Sequence, residues 1–165
     1  MIRILKCKLP AFILAVVTLS SYPTSAAKPS INEMQTCQGL IDFFSHKLEN
    51  LSSKYDENDL IIVQKGLSTY NDYIQNTFVS PGLLKFSNGN QNKADELQKK
   101  VDAYKAKVVK SYQNQYPYQK ISKGFVESLN ECTQKAVPSG NDLDTLKISF
   151  IKKLELMKCH LYTTD

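Results

Sequence analysis

The fold is indicated most directly by residues 92–114, which read NKADELQKKVDAYKAKVVKSYQN. Apolar side chains recur in this segment at intervals of three and four residues, from Ala94 to Tyr112. This spacing places them on one face of an α-helix. Asp95 and Lys99, four residues apart, form a pair that supports the opposite, solvent-facing side. The segment therefore predicts a long amphipathic helix.

Four further segments show the same helical period. Two precede the long helix, at about 33–52 and 59–78, and two follow it, over 121–136 and 143–157. No run of five or more residues alternates as a half-buried strand does. Short connections between helices favour antiparallel neighbours. We therefore predict an all-α fold, an antiparallel bundle of four to five helices.

Turn-forming residues mark the expected helix ends. Asn58 or Asp59 is expected to cap the start of the second helix by accepting from its free backbone N–H groups. The same helix is expected to end at Ser80-Pro81-Gly82, because proline cannot continue the hydrogen-bond ladder. Pro138-Ser139-Gly140 predicts the end of the fourth helix in the same way.

The first 27 residues have the layout of a signal peptide. Three basic residues precede an apolar run over 11–19, and small residues stand at Ser25 and Ala27, the positions that a signal peptidase reads. We expect cleavage after Ala27, which leaves 28–165 as a single helical-bundle domain. The apolar run is about half the roughly 20 residues that a membrane-spanning helix needs, so no stable membrane anchor is expected. The predicted destination is the periplasm or the extracellular medium.

The charge balance argues against nucleic acid as a partner. The whole chain has 21 Lys and Arg, 16 Asp and Glu and a formal net charge of +5. The predicted leader holds three of the bases, Arg3, Lys6 and Lys8, and none of the acids, so the mature chain has a net charge near +2. A protein that binds nucleic acid through the phosphates usually carries a concentrated basic surface.

Three cysteines remain after the leader, and export would expose them to an oxidising compartment. In an up-and-down bundle Cys37, at the start of the first helix, and Cys132, near the end of the fourth, meet at the same end. At about 1.5 Å per residue the mismatch between them is only some 7 to 8 Å, whereas Cys159 closes the fifth helix at the other end. We therefore predict a Cys37–Cys132 disulfide and a free thiol at Cys159, whose alternative use is a disulfide that joins two chains as a homodimer.

The segment 111–119 concentrates Tyr112, Tyr116 and Tyr118 among amide side chains. Tyrosine offers a large, fairly rigid apolar face with a polar tip and is frequent at binding surfaces. These three residues are the predicted partner-binding surface. A loop whose tyrosines close one end of the bundle is the alternative interpretation.

Residue patterns that signal chemistry are weak. The spacing assembles no Ser/His/Asp triad or paired carboxylates, and two histidines are too few for a zinc site without carboxylate help. We therefore predict no catalytic residues, metal or cofactor. The predicted function is binding of an envelope or secreted protein, as an adaptor, inhibitor or immunity factor. The alternative is a carrier of a small apolar ligand or of haem, for which Met34, Met157 and His160 are the candidate ligands.

Overall fold

The computed structural model describes residues 28–50, 55–116, 123–137 and 140–161, with the side chains of 123 and 157–161 excepted. Every regular element in these residues is helical, which confirms the predicted all-α class. The elements are α1 (Ile31–Glu49), α2 (Glu57–Ile74), a π-helical turn (Gln75–Val79), α3 (Ser80–Phe86), α4 (Gln91–Gln115), α5 (Lys123–Lys135) and α6 (Asn141–Leu161). The predicted signal peptide, 1–27, lies outside the described residues.

Side-chain caps account for where the first two helices begin. Ser30 accepts from the backbone N–H of Glu33, whose carboxylate accepts from the backbone N–H of Ser30, so the two form a capping box at α1. Asp56 caps α2 by accepting from the N–H groups of Asn58 and Asp59. The prediction of Asn58 or Asp59 as the cap was therefore wrong by two to three residues. Those residues supply the free N–H groups that the carboxylate of Asp56 satisfies.

The predicted end of the second helix at Pro81 was also wrong. The π-helical turn between α2 and α3 carries the helix through the proline, so that α2, the turn and α3 form one continuous rod. In the π turn the N–H of Ser80 bonds to the carbonyl of Gln75. This wider turn relieves the clash between a proline ring and the carbonyl of the preceding turn. The rod ends at Phe86, where Asn88 (φ 52°) and Gly89 (φ 78°) reverse the chain.

The core is built around α1, which contacts α2, α4 and α5. Phe43 and Phe44 of α1 are fully buried. Gly39 lets α4 approach closely, since a Cβ at this position would collide with Val108. Gly66 plays the same part between α2 and α6, where a Cβ would occupy the space of Ser149.

A disulfide between Cys37 and Cys132 links α1 to α5, with the two Cα atoms 5.6 Å apart. This confirms the predicted pairing. Two tyrosines of α2 also hold this part of the chain: the Tyr70 hydroxyl donates to the carbonyl of Cys132 at 2.6 Å, and the Tyr73 hydroxyl donates to that of Val137 at 2.7 Å. The end of α5 is therefore fixed covalently to α1 and by hydrogen bonds to α2.

Loss of the disulfide is expected to lower the free energy of unfolding by about 4 kcal/mol, because the bond joins residues separated by 95 positions and restricts the unfolded chain. Urea unfolding of a Cys37→Ser/Cys132→Ser variant, followed by circular dichroism, measures this change. Cys159→Ser is the control and should keep the wild-type midpoint. An equal midpoint for the double variant and the wild type would contradict the prediction.

Candidate functional site

An apolar groove of about 440 Å³ lies between the end of α5 and the first half of α6. Val137 lines it from the α5 side, and Leu143, Phe150 and Ile151 line it from α6. The polar residues Thr133, Gln134 and Lys147 complete much of the remaining wall. The volume is within the range of roughly 300–1,000 Å³ that is typical of ligand pockets.

The groove exists because α5 and α6 are held by different helices. The disulfide and a Lys135–Glu33 ion pair of 3.3 Å hold α5 on α1. In contrast, α6 packs on α2, where the Gly66–Ser149 contact and a Lys152–Asp59 ion pair of 2.9 Å join them. Gly140, with a φ of 63°, turns the chain between α5 and α6. Two consecutive helices that pack on different neighbours leave an open space between them.

Beside the groove, α6 exposes an apolar strip that consists of Ile148, Ile151 and Leu154. Their exposed fractions are 53%, 57% and 46%, and Val137 next to the groove is 57% exposed. Residues three apart lie on neighbouring positions of one helix surface. Contiguous exposed apolar side chains are a feature of interaction sites, whereas single ones are ordinary.

The helical period of the last segment predicts a core face with Leu143, Leu146, Phe150, Leu154 and Met157. Leu146 is buried and Phe150 packs against the core, as this face requires, but Leu154 is exposed. Ser149, Lys153 and Leu156, outside the predicted face, are buried. Gly66 leaves room for Ser149, and this turns a polar position toward α2. Ile148 and Ile151, which lie outside the predicted stripe, were the sequence signal for a second apolar surface.

Lys153 is the most unusual side chain near the groove. It is 1% exposed, and its Nζ has no hydrogen-bond partner among the described residues. Nζ lies 5.1 Å from the centroid of the Phe44 ring and 4.4 Å from that of Phe150. Burial lowers the pKa of the Lys153 ammonium from 10.5 to about 7. Phe150 is common to both features, since it lines the groove and contacts this ammonium group.

Two residues of the predicted tyrosine surface pack on aromatic rings of α1 and α5. Tyr112 and Tyr116 are half-buried and form an aromatic cluster with Phe43 and Phe125. The ring centroids are 5.7 Å apart for Phe43 and Tyr112, 6.5 Å for the two tyrosines and 4.3 Å for Tyr116 and Phe125. Burial is the main cause that raises the pKa of the Tyr112 hydroxyl. The structure brings these two tyrosines together, and Tyr118 lies outside the described residues.

Of the remaining candidate residues, the structure describes the side chain of Met34 alone. Met34 is fully buried in the core, while the side chains of Met157, Cys159 and His160 lie outside those described. Within the described part of the chain, no group of three or more His, Cys, Asp or Glu residues could hold a metal ion. None of the helices searched in that part is long and apolar enough to cross a membrane.

The fold and the groove define a small all-helical protein with an exposed apolar surface on its last helix. No protein-family model matches the sequence, and no curated protein and no solved structure matches it. The groove, the apolar strip and Lys153 are therefore the features from which we infer a function.

Replacing Lys153 with Met is expected to stabilise the protein at pH 7. The folded chain has a lowered Lys153 pKa of about 7, so between pH 7 and 10.5 the unfolded chain binds more protons. The free energy of unfolding of the wild type should therefore rise with pH in this range, with a slope of up to about 1.4 kcal/mol per pH unit. Below pH 7, Lys153 should not change the free energy of unfolding with pH.

Urea unfolding of wild type and Lys153→Met at pH 6, 7, 8 and 9 tests this, in a Cys159→Ser background that limits thiol exchange. Lys152→Met is the matched control, because Lys152 pairs with Asp59 on the surface, and it should keep the wild-type pH slope. A Lys153→Met variant less stable than wild type at pH 7 would contradict the prediction.

Proposed function

We propose that this chain is a small exported protein that binds another protein of the cell envelope or the medium, as an adaptor, inhibitor or immunity factor. The observation that carries the proposal is the apolar strip, Ile148, Ile151 and Leu154, which stays exposed next to Val137. A partner's amphipathic helix, with apolar residues three and four positions apart, suits such a surface. Lys147 beside the strip offers a place for an acidic residue of that helix.

An antiparallel order of consecutive helices is part of the proposal. It is supported by pairs of contacts between two helices: along the first helix the residue numbers rise, and those of the contacted residues on the second helix fall. Between α1 and α2, Gln38 bonds to Gln75 and Asp42 bonds to Asn71. The disulfide of Cys37 with Cys132 and the Phe43–Phe125 contact follow the same rule between α1 and α5. Such an order sets the apolar strip on a rigid scaffold.

The second candidate function is a carrier of a small apolar ligand. The groove favours this function, because its volume and apolar lining suit such a molecule. The open groove and the exposed strip beside it favour protein binding as the main function, since a carrier gains by enclosing its ligand.

Export to the periplasm or the medium is the proposed localisation. The leader pattern in 1–27 supports it, and the Cys37–Cys132 disulfide suits an oxidising compartment. Cys159 is then the thiol left over, either free or joining two copies of the chain.

Capture of the tagged chain from its source cells should recover one stoichiometric partner, and Ile148→Glu should reduce that recovery. The carboxylate introduced at position 148 would be desolvated and unpaired among the apolar contacts of the complex. We therefore expect calorimetry to show that the purified partner binds at least tenfold more weakly. Phe86→Glu is the matched control, because Phe86 is 76% exposed at the end of α3, which packs on α4.

Equal binding by Ile148→Glu and wild type would contradict a role for the strip. Tyr118→Ala changes the tyrosine segment and retains both rings of the Tyr112–Tyr116 contact. If Tyr118→Ala fails to bind the partner while Ile148→Glu binds as wild type does, recognition is assigned to the tyrosine segment.

Intact mass spectrometry of the exported protein, without reductant, should give a chain that begins at Lys28 and contains one disulfide. One free thiol, Cys159, should then react with one equivalent of an alkylating reagent. A doubled mass that reductant converts to the single mass would show the homodimer through Cys159. A chain beginning at Met1 would contradict export through a cleaved leader.

A further inference from the structure

We propose that the groove between α5 and α6, together with Lys153, binds a long-chain fatty acid. In this site the alkyl chain lies in the groove and the carboxylate pairs with the Lys153 Nζ. This site rests on the second candidate function, the ligand carrier, for which it names the ligand class, and it does not depend on the binding of a protein partner. Ile148 and Leu154 do not line the groove, so a bound ligand leaves them exposed for a partner.

The lining of the groove determines the apolar part of the ligand. Val137, Leu143, Leu146, Phe150 and Ile151 supply apolar walls along its length. A polar group bound against these walls would lose its hydration without gaining a hydrogen bond, which is unfavourable. The head group of an amphiphile therefore lies away from these apolar side chains, where a charge, a polar residue or water can satisfy it.

Lys153 determines the chemistry of that head group. Its Nζ is buried, lacks a hydrogen-bond partner among the described residues and contacts two aromatic rings. Three N–H donors are available and the group carries a positive charge when protonated. A carboxylate supplies both the acceptors and the opposite charge. Charge complementarity therefore favours a fatty acid over a neutral lipid.

Phe150 provides the connection between the two parts of the site. Its ring lines the groove and lies 4.4 Å from the Lys153 Nζ. Lys153 does not line the groove itself, so the proposed binding mode includes a side-chain rotation of Phe150 that would open the groove to the ammonium group. In the complex the carboxylate takes the place of the Phe150 ring at Nζ, and the ring packs on the alkyl chain.

Several charged residues of α6, α2 and α1 already have partners, and Lys147 of α6 lines the groove itself. On α6 and α2, Lys152 pairs with Asp59 and Glu155 at 2.9 and 3.6 Å. On α1, Asp42 pairs with Lys105 at 3.1 Å, and Lys47 donates to the carbonyl of Tyr116. Burial is the cause that lowers the pKa of Lys153, so a carboxylate from a ligand would be its counterion.

Protonation gives the site a measurable signature. Near pH 7 about half of the free protein holds Lys153 uncharged, because its pKa is about 7. A bound carboxylate favours the ammonium form, so binding takes up a fraction of a proton from solution. The affinity should fall by up to tenfold per pH unit as the pH rises above 7.

The experiment is isothermal titration calorimetry of the delipidated mature protein with laurate, and with dodecanol as the uncharged probe. We expect 1:1 binding of laurate at pH 6.5, weaker binding at pH 8.5, and proton uptake shown by buffers of different ionisation enthalpy at pH 7. Dodecanol should show neither proton uptake nor pH dependence.

Lys153→Met should bind laurate roughly ten- to hundredfold more weakly than wild type at pH 6.5, without proton uptake, and should keep its dodecanol affinity. Lys99→Met, at an exposed lysine of α4 outside the groove lining, is the control and should match wild type in every measurement. Circular dichroism verifies that each variant is folded. Absence of laurate binding by the folded wild type, or equal laurate binding by Lys153→Met, would overturn the proposal.

Two variants distinguish a failure of the fatty-acid proposal from a failure of the protein-binding proposal. Ile148→Glu, which changes the apolar strip outside the groove lining, should retain laurate binding while losing the partner. Lys153→Met should retain the partner while losing the charge-dependent laurate affinity.

Discussion

The disulfide between Cys37 and Cys132 is the constraint on which the candidate site depends. It holds α5 on α1, while the Gly66–Ser149 contact and the Lys152–Asp59 pair hold α6 on α2. Because α5 and α6, which are consecutive in the sequence, pack on different helices, they do not pack closely against each other. The apolar groove is the space that results, and α6 leaves Ile148, Ile151 and Leu154 exposed to solvent beside it.

Stability does not account for Lys153. Removing an ion from water costs several kcal/mol in proteins, whereas a desolvated cation–π contact contributes about 2 kcal/mol. The rings of Phe44 and Phe150 therefore offset only part of that cost. A methionine at the same position would fill a similar volume without a charge to desolvate. The unfavourable balance, located next to an apolar groove, is the reason to connect Lys153 with binding.

The composition of the tyrosine segment predicts a binding surface, whereas the structure shows two of its tyrosines packed against the core. Three tyrosines among amides are typical of a recognition surface. In the folded chain the ring of Tyr112 contacts Phe43 and the ring of Tyr116 contacts Phe125. These contacts join α4 to α1 and α5. Lys47 adds to this junction by donating to the carbonyl of Tyr116 at 2.6 Å. These rings thus stabilise the scaffold that holds α5.

The all-α class and the approximate helices follow from the amino-acid sequence alone, because helical period is a local property of the chain. The Cys37–Cys132 pairing follows from the helical rise once the helices are taken to alternate in direction. Passage of the second helix through Pro81 depended on a π turn that no local pattern indicates. The buried face of α6 was decided by Gly66, which admits Ser149 and so turns Lys153 inward and Leu154 outward. Period alone cannot choose between two apolar faces of one helix, because the choice depends on the shape of the helix that packs against it.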